Sequence, residues 1–138
     1  MDERLFFLLN KAQHKMFQFV DSECERQTGI TVTQAATLMY IDKHEGCLQK
    51  ELASSLNLNN SAVTGLMVRM EKNDLINRKP CSEDGRASRV YLSPAGRKKL
   101  PEIFPLIKEM NQRLTAGFSE REITIVARFL NKVMSDFS

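Results

Sequence analysis

Between residues 4 and 27, apolar side chains recur at three- and four-residue steps: Leu5, Leu9, Ala12, Met16 and Phe19. That is the spacing of one helix face. A second set, Phe6, Phe17, Val20 and Cys24, falls on a different face. A helix that is apolar on more than one face must be covered on more than one side, and a second subunit is the favoured cover. Gly29 predicts the end of this helix. Thr33 is placed to cap a second one, with Ala36, Leu38, Met39 and Ile41, which runs out at His44-Glu45-Gly46.

Two short helices are predicted next, over 50–56 and 61–71, separated by Asn57-Leu58-Asn59-Asn60. Asn59 suits the N-cap of the second. Leu66, Met67 and Met70 form its inward face, and Asn73-Asp74 stops it. Ile76 on one side, and Val90, Tyr91 and Leu92 on the other, predict a hairpin turned by Asp84-Gly85. Ser93-Pro94 opens a further helix, with Ser at the cap and Pro at the first position. Pro101 and Pro105 interrupt its apolar series Leu100, Ile103, Phe104, Ile107, Met110 and Leu114, so a kink or break is expected before it ends near Ala116. Ser119 and Glu122 form a capping box for the last helix, which carries Ile123, Val126, Phe129, Leu130 and Val133. The fold class is mainly α: a winged helix-turn-helix with a small antiparallel β-hairpin wing.

A length of 138 residues predicts a single domain. The net charge of +3 says little until it is mapped. Residues 65–99 carry a net +5, whereas residues 1–64 carry −2. The positive field thus coincides with the helix-turn-helix and hairpin. Cys24, Cys47 and Cys81 are odd in number and lack a C-x-x-C pair, which argues against a disulfide framework or zinc cage and for reduced thiols in the cytoplasm. His14 and His44 are too far apart to suggest a metal site, and Met16, Met39, Met67 and Met70 are expected in the core. No run approaches the roughly 20 apolar residues of a membrane span, so no membrane association is expected. No nucleophile–His–acid pattern or phosphate loop is present, which speaks against an enzyme; no cofactor or metal is expected.

The chemistry points to double-stranded DNA. Short side chains near the start of a recognition helix let it sink into the major groove. Ser61, Ala62, Thr64 and Gly65 fit that role. Arg69 on the helix and Asp84 on the hairpin could pair and lock the two together. Arg86 would then enter a minor groove, where narrow tracts concentrate negative potential. Arg78, Lys79 and Arg89 would flank it as phosphate contacts, and Ser88 is a further DNA-binding candidate on the hairpin. Cys81 follows Arg78-Lys79-Pro80 and is expected to be exposed, which makes it the candidate redox-sensing thiol.

The run Gln49-Lys50-Glu51-Leu52-Ala53, then Asn60-Ser61-Ala62-Val63-Thr64, Arg69-Met70-Glu71-Lys72, Asp84-Gly85-Arg86 and Leu92-Ser93-Pro94-Ala95-Gly96, closely resembles the MarR family of bacterial transcription regulators. The resemblance implies one domain over 1–138, with dimerisation helices at 1–30 and 100–138 and a DNA-binding lobe at 31–99. It implies a homodimer on a pseudo-palindromic operator, acting as a repressor released by a small aromatic or anionic ligand. It also implies the Arg69–Asp84 link and a wing-tip arginine, Arg86. Gly65, Asp74, Leu48 and the two prolines depart from the family pattern. The peroxide-sensing branch has a cysteine where this chain has Phe6. Two alternatives are a winged-helix interaction module that does not read DNA and a thiol-based redox regulator.

Overall fold

A computed structural model of the chain describes residues 4–83 and 85–138. The elements are α1 (Leu5–Thr28), α2 (Val32–Lys43), β1 (Cys47–Leu48), α3 (Gln49–Leu56), α4 (Asn60–Lys72), β2 (Ile76–Pro80), β3 (Ser88–Leu92), α5 (Pro94–Thr115) and α6 (Glu120–Asp136). The chain falls into two compact units that divide between Pro105 and Leu106, inside α5.

In the first unit, α2, α3 and α4 pack on one another and on an antiparallel sheet of order β1-β3-β2. Leu38, Ile41, Leu52, Val63, Met67, Met70, Ile76, Val90 and Ile103 are fully buried and form its core. Gly29 ends α1 at φ 78°, a left-handed conformation that costs glycine little. The Lys99 ammonium donates to the carbonyl of Thr28 at 2.6 Å, a cation placed at a helix C-terminus.

Helix α2 is capped by Thr31, not Thr33. The Thr31 hydroxyl accepts from the Gln34 N–H, and the Gln34 side chain accepts from the Thr31 N–H. Thr33 is already helical, and its carbonyl accepts from the Thr37 hydroxyl. The reciprocal box selects the earlier threonine, because only Thr31 has a glutamine three residues on. Strand β1 had no sequence signature. Its two residues pair with Val90 and Arg89 of β3, too short a run to show alternation. Met16 stands 46% exposed rather than in the core, since α1 packs only through its C-terminal part, where Cys24 and Thr28 are buried.

No break occurs at Pro101 or Pro105; α5 is helical from Pro94 to Thr115. Both prolines are exposed, whereas Leu100, Ile103 and Leu106 are buried. The prolines are four residues apart, so the carbonyls that lose a donor, those of Arg97 and Pro101, belong to one exposed stripe. The buried side keeps its ladder.

The second unit holds the end of α5 and α6. Ser119 and Glu122 form the expected capping box. Helix α6 buries none of its residues.

The junction of wing and α5 is tight. The Ser93 hydroxyl donates to the Asp74 carbonyl at 2.6 Å and accepts from the Gly96 N–H at 2.9 Å. A Cβ at Gly96 would lie 2.0 Å from the Leu75 carbonyl oxygen. Gly96→Ala should therefore lower unfolding stability by about 2 kcal/mol or more, as backbone would have to move. Gly85→Ala, with open space around it, should stay within about 0.5 kcal/mol. Urea titrations of both variants check the contrast; equal midpoints would refute the close-approach account.

Candidate nucleic-acid interface

Helix α4 presents the proposed reading surface. Asn59 caps it, its side-chain oxygen accepting from the Ala62 N–H at 2.8 Å. Val63, Leu66, Met67 and Met70 are buried and anchor its inner face. Ser61, Ala62, Thr64 and Val68 are exposed and Gly65 is half-buried. Residues 61, 64, 65 and 68 share one helix face. Val68, 51% exposed, was missed by the sequence reasoning. It continues the stripe begun by Ser61 and Thr64, and counting seven residues on from Ser61 would have found it.

The hairpin pairs Ile76 with Leu92 through Pro80 with Ser88. Beyond the last pair, the Cys81 N–H donates to the Ala87 carbonyl at 2.9 Å. Asp84, and with it the expected Arg69–Asp84 link and the Asp84-Gly85 turn, lies outside the described residues. Arg86, Ala87 and Ser88 meet Gln49, Lys50, Asn60 and Thr64 around a cleft of about 280 Å³. Wing tip and recognition helix thus share one surface, on which Thr64, Arg86 and Ser88 come together.

Ser61, Ala62, Gly65 and Arg69 line a different cleft, of about 400 Å³, opposite Phe17 and Asp21 of α1 and Thr31, Thr33 and Gln34 at the start of α2. Arg69 folds back along its helix, and a Cβ at Gly65 would stand 3.3 Å from its Nη1. Gly65 therefore makes room for the Arg69 guanidinium. Asp21 meanwhile caps α2, one carboxylate oxygen accepting from the Val32 N–H at 2.8 Å.

Two of the expected backbone contacts have partners inside the protein. Arg78 donates from Nε to Glu71 at 2.9 Å, with its Nη2 2.6 Å from the same oxygen, and from Nη1 to Gln49 at 3.3 Å. Arg89 donates to the Gly46 carbonyl at 2.9 Å, bracing β1 against β3. The Lys79 ammonium sits 5.1 Å above the Tyr91 ring.

Cys81 is buried, at 5% exposure, not exposed as expected. It lies just past the end of β2, its backbone paired with Ala87 across the hairpin. Neighbouring basic residues in sequence do not decide which face a strand residue takes. Cys24 and Cys47 are buried as well. Burial pushes the Cys47 thiol up to about 11, helped by the Glu51 and Glu45 carboxylates. Burial also raises Cys24, partly offset by its hydrogen bond with Thr28.

Helices α3 and α4, followed by a two-stranded wing whose tip shares the exposed side of α4, define the winged helix-turn-helix class. Comparison with known proteins agrees. Residues 30–88 match the model of the MarR family. The chain is 28% identical over 114 residues to the uncharacterized HTH-type transcriptional regulator YsmB of Bacillus subtilis, covering 83% of this chain and 78% of that one. It is 24% identical over 137 residues to the HTH-type transcriptional regulator MgrA of Staphylococcus aureus, covering 99% and 92%. The crystal structure of the S. aureus MepR–DNA complex superposes with a TM-score of 0.88 at 28% identity, covering 96% of each chain. The fold is that of a winged helix-turn-helix protein, similar in residues 30–88 to the MarR family and over nearly its whole length to MepR. Among the described residues no helix is long and apolar enough to cross a membrane.

The raised Cys47 value carries a test. From an ordinary value of 9.0 to about 11, its thiolate fraction near neutral pH falls ~100-fold, and the thiolate is the nucleophile. Iodoacetamide should label Cys47 at least ~100-fold more slowly in the folded protein than in urea. Its rate should climb with pH towards about 11. Equal rates in the two states would contradict this environment.

Proposed function

We propose that the chain is a dimeric, sequence-specific DNA-binding regulator that represses transcription until a small aromatic or anionic molecule releases it. One observation carries the reading: the outward stripe of α4 and the arginine-bearing wing tip border one cleft, lined by Thr64, Arg86 and Ser88. Ser61, Ala62, Thr64 and Gly65 reach base edges in the major groove. Arg86 enters the neighbouring minor groove, with Ser88 and the flanks of Lys79 and Arg89 near phosphates. The MepR neighbour was crystallised with DNA, which supports the partner.

Dimerisation is supported by surface that a lone chain leaves uncovered. In α1, Leu5, Phe6, Phe7 and Leu8 are between 44% and 75% exposed. In α6, Val126, Phe129, Leu130 and Met134 are between 39% and 64% exposed. Contiguous apolar faces of this kind mark interfaces. In this scheme the segments 1–30 and 100–138 make the dimer and 31–99 the DNA-binding lobe. The ligand reading is supported by the 400 Å³ cleft, where Phe17 offers a ring contact and Arg69 a cation. That volume is in the range of small-molecule sites, and an occupant there would press on the start of α4.

The protein should sediment at twice the chain mass of 15.8 kDa. It should bind duplexes selected from a random pool, with log affinity falling linearly against log salt. Arg86→Ala should weaken binding on the order of 10-fold and reduce that slope by about 0.9 if it meets one phosphate. Monomeric behaviour at micromolar concentration, or binding indifferent to salt, would sink the reading.

A further inference from the structure

We propose that Glu71, Arg78 and Gln49 form a positioning link that sets the wing against the recognition helix, and that Arg78 serves DNA binding through this link rather than as a phosphate contact. The inference rests on the DNA reading above and concerns how the reader is held.

The link is a closed circuit. Glu71 stands in the last turn of α4, Arg78 in the middle of β2, and Gln49 at the first position of α3. Arg78 donates twice to one oxygen of Glu71 and once to the Gln49 carbonyl oxygen. The Gln49 amide donates to the Thr64 hydroxyl at 3.3 Å, and that hydroxyl donates to the Asn60 carbonyl at 2.9 Å. The path leaves α4 near its end and rejoins it near its start. Its two outside points belong to the strand that begins the wing and to the helix that precedes the reader. A shift of β2 along α4 would break the Glu71–Arg78 contact at one side and the Gln49–Thr64 contact at the other.

The side chains are only partly exposed, 26% for Arg78 and 38% for Glu71. Arg78 has three donor contacts in fixed directions, which a planar guanidinium can satisfy and an ammonium cannot. Thr64, which borders the cleft shared with Arg86 and Ser88, is the end of the circuit that meets the reading surface. Its hydroxyl is oriented by Gln49 before any duplex arrives.

Electrostatics and positioning predict opposite signs for one substitution. Glu71→Gln removes a negative charge from a surface proposed to face DNA. Simple attraction to the phosphates then predicts tighter binding. If Glu71 holds Arg78 in place, binding should weaken, on the order of 10-fold, the size of one lost charge-assisted hydrogen-bonded link. Arg78→Lys should weaken it comparably despite keeping the charge. The double variant Glu71→Gln/Arg78→Lys should bind about as well as either single one, because both break the same link.

The experiment measures affinity across salt for the full-length parent and these variants on duplexes selected with the parent. Hydrogen exchange of Ile76–Pro80 and Ser88–Leu92 is followed without DNA, and melting confirms that each variant is folded. Support consists of weaker binding by Glu71→Gln at unchanged salt slope, with faster exchange in the two strands. Tighter or equal binding by Glu71→Gln overturns the proposal. So does near-parental binding by Arg78→Lys, or a slope lowered by about 0.9 in Arg78→Gln, the mark of a direct phosphate contact. If the parent itself shows no salt-sensitive binding, the DNA reading fails and this role falls with it. Exchange faster in the strands but affinity unchanged would leave a stabilising pair with no part in recognition, and the proposal would be wrong.

Discussion

The Leu75 carbonyl accepts from the Ser93 N–H at 3.1 Å and approaches Gly96 so closely that no side chain fits there. Three elements meet at that point: the end of α4, the start of β2 and the first turn of α5. Ser93 closes the junction, buried to 1% exposure, with its hydroxyl shared between the Asp74 carbonyl and the Gly96 N–H. Asp74 adopts φ 58° there, a conformation that costs an ordinary L-residue of order 1 kcal/mol. The chain accepts that strain because a helix must turn straight into a strand. Both strands of the wing begin or end at this knot, so the wing's direction relative to α4 follows from it.

A hairpin anchored only at its base would swing. Two further contacts restrain it along its length. Arg89 reaches from β3 to the Gly46 carbonyl and fastens the short β1 as a third strand. Arg78 reaches from β2 to Glu71 and Gln49. Two of the basic residues of 65–99, Arg78 and Arg89, thus hold the wing in place from within the fold. Arg97, beyond the wing, is likewise engaged by Asp42 and Glu45. Counting charges along the chain shows where the basic residues lie in sequence but not which of them are engaged by carboxylates and carbonyls of the fold.

The helices were legible because their signals are local. Periodic apolar residues, Asn59 and Ser119 as caps and Gly29 as a stop each act within a few residues, so a linear reading captures them. Thr31 and Thr33 were confused because both precede the same apolar run, and only the reciprocal Gln34 contact separates them. Strand β1 exists through its pairing with β3, some forty residues away, and so left no trace in its own two residues. Cys81 was misplaced because a hairpin has two sides and sequence neighbours alternate between them. For Pro101 and Pro105 the missing information was facing: prolines four apart on an exposed stripe leave the buried ladder intact. Ser61, Ala62 and Thr64 are exposed on α4 as their residue types suggested, whereas Val68 on the same face was not singled out and the internal partners of Arg78 were not foreseen. The helical period alone places Val68 on that face, but the partners of Arg78 come from tertiary structure.

Helix α6 poses the remaining physical problem. Its capping box contributes about 1 kcal/mol, and a helix of 17 residues on that support alone is marginal in water. Most helical stability in proteins comes from packing an apolar face, and α6 buries none of its residues within its own chain. The same deficit recurs at the start of α1, where Phe6 and Phe7 are 75% and 68% exposed. On the proposed reading a second copy supplies the missing packing at both places. Dimerisation would then order the terminal helices and also fix the separation of the two readers. The half-site spacing on DNA would be decided by apolar side chains that never approach the duplex.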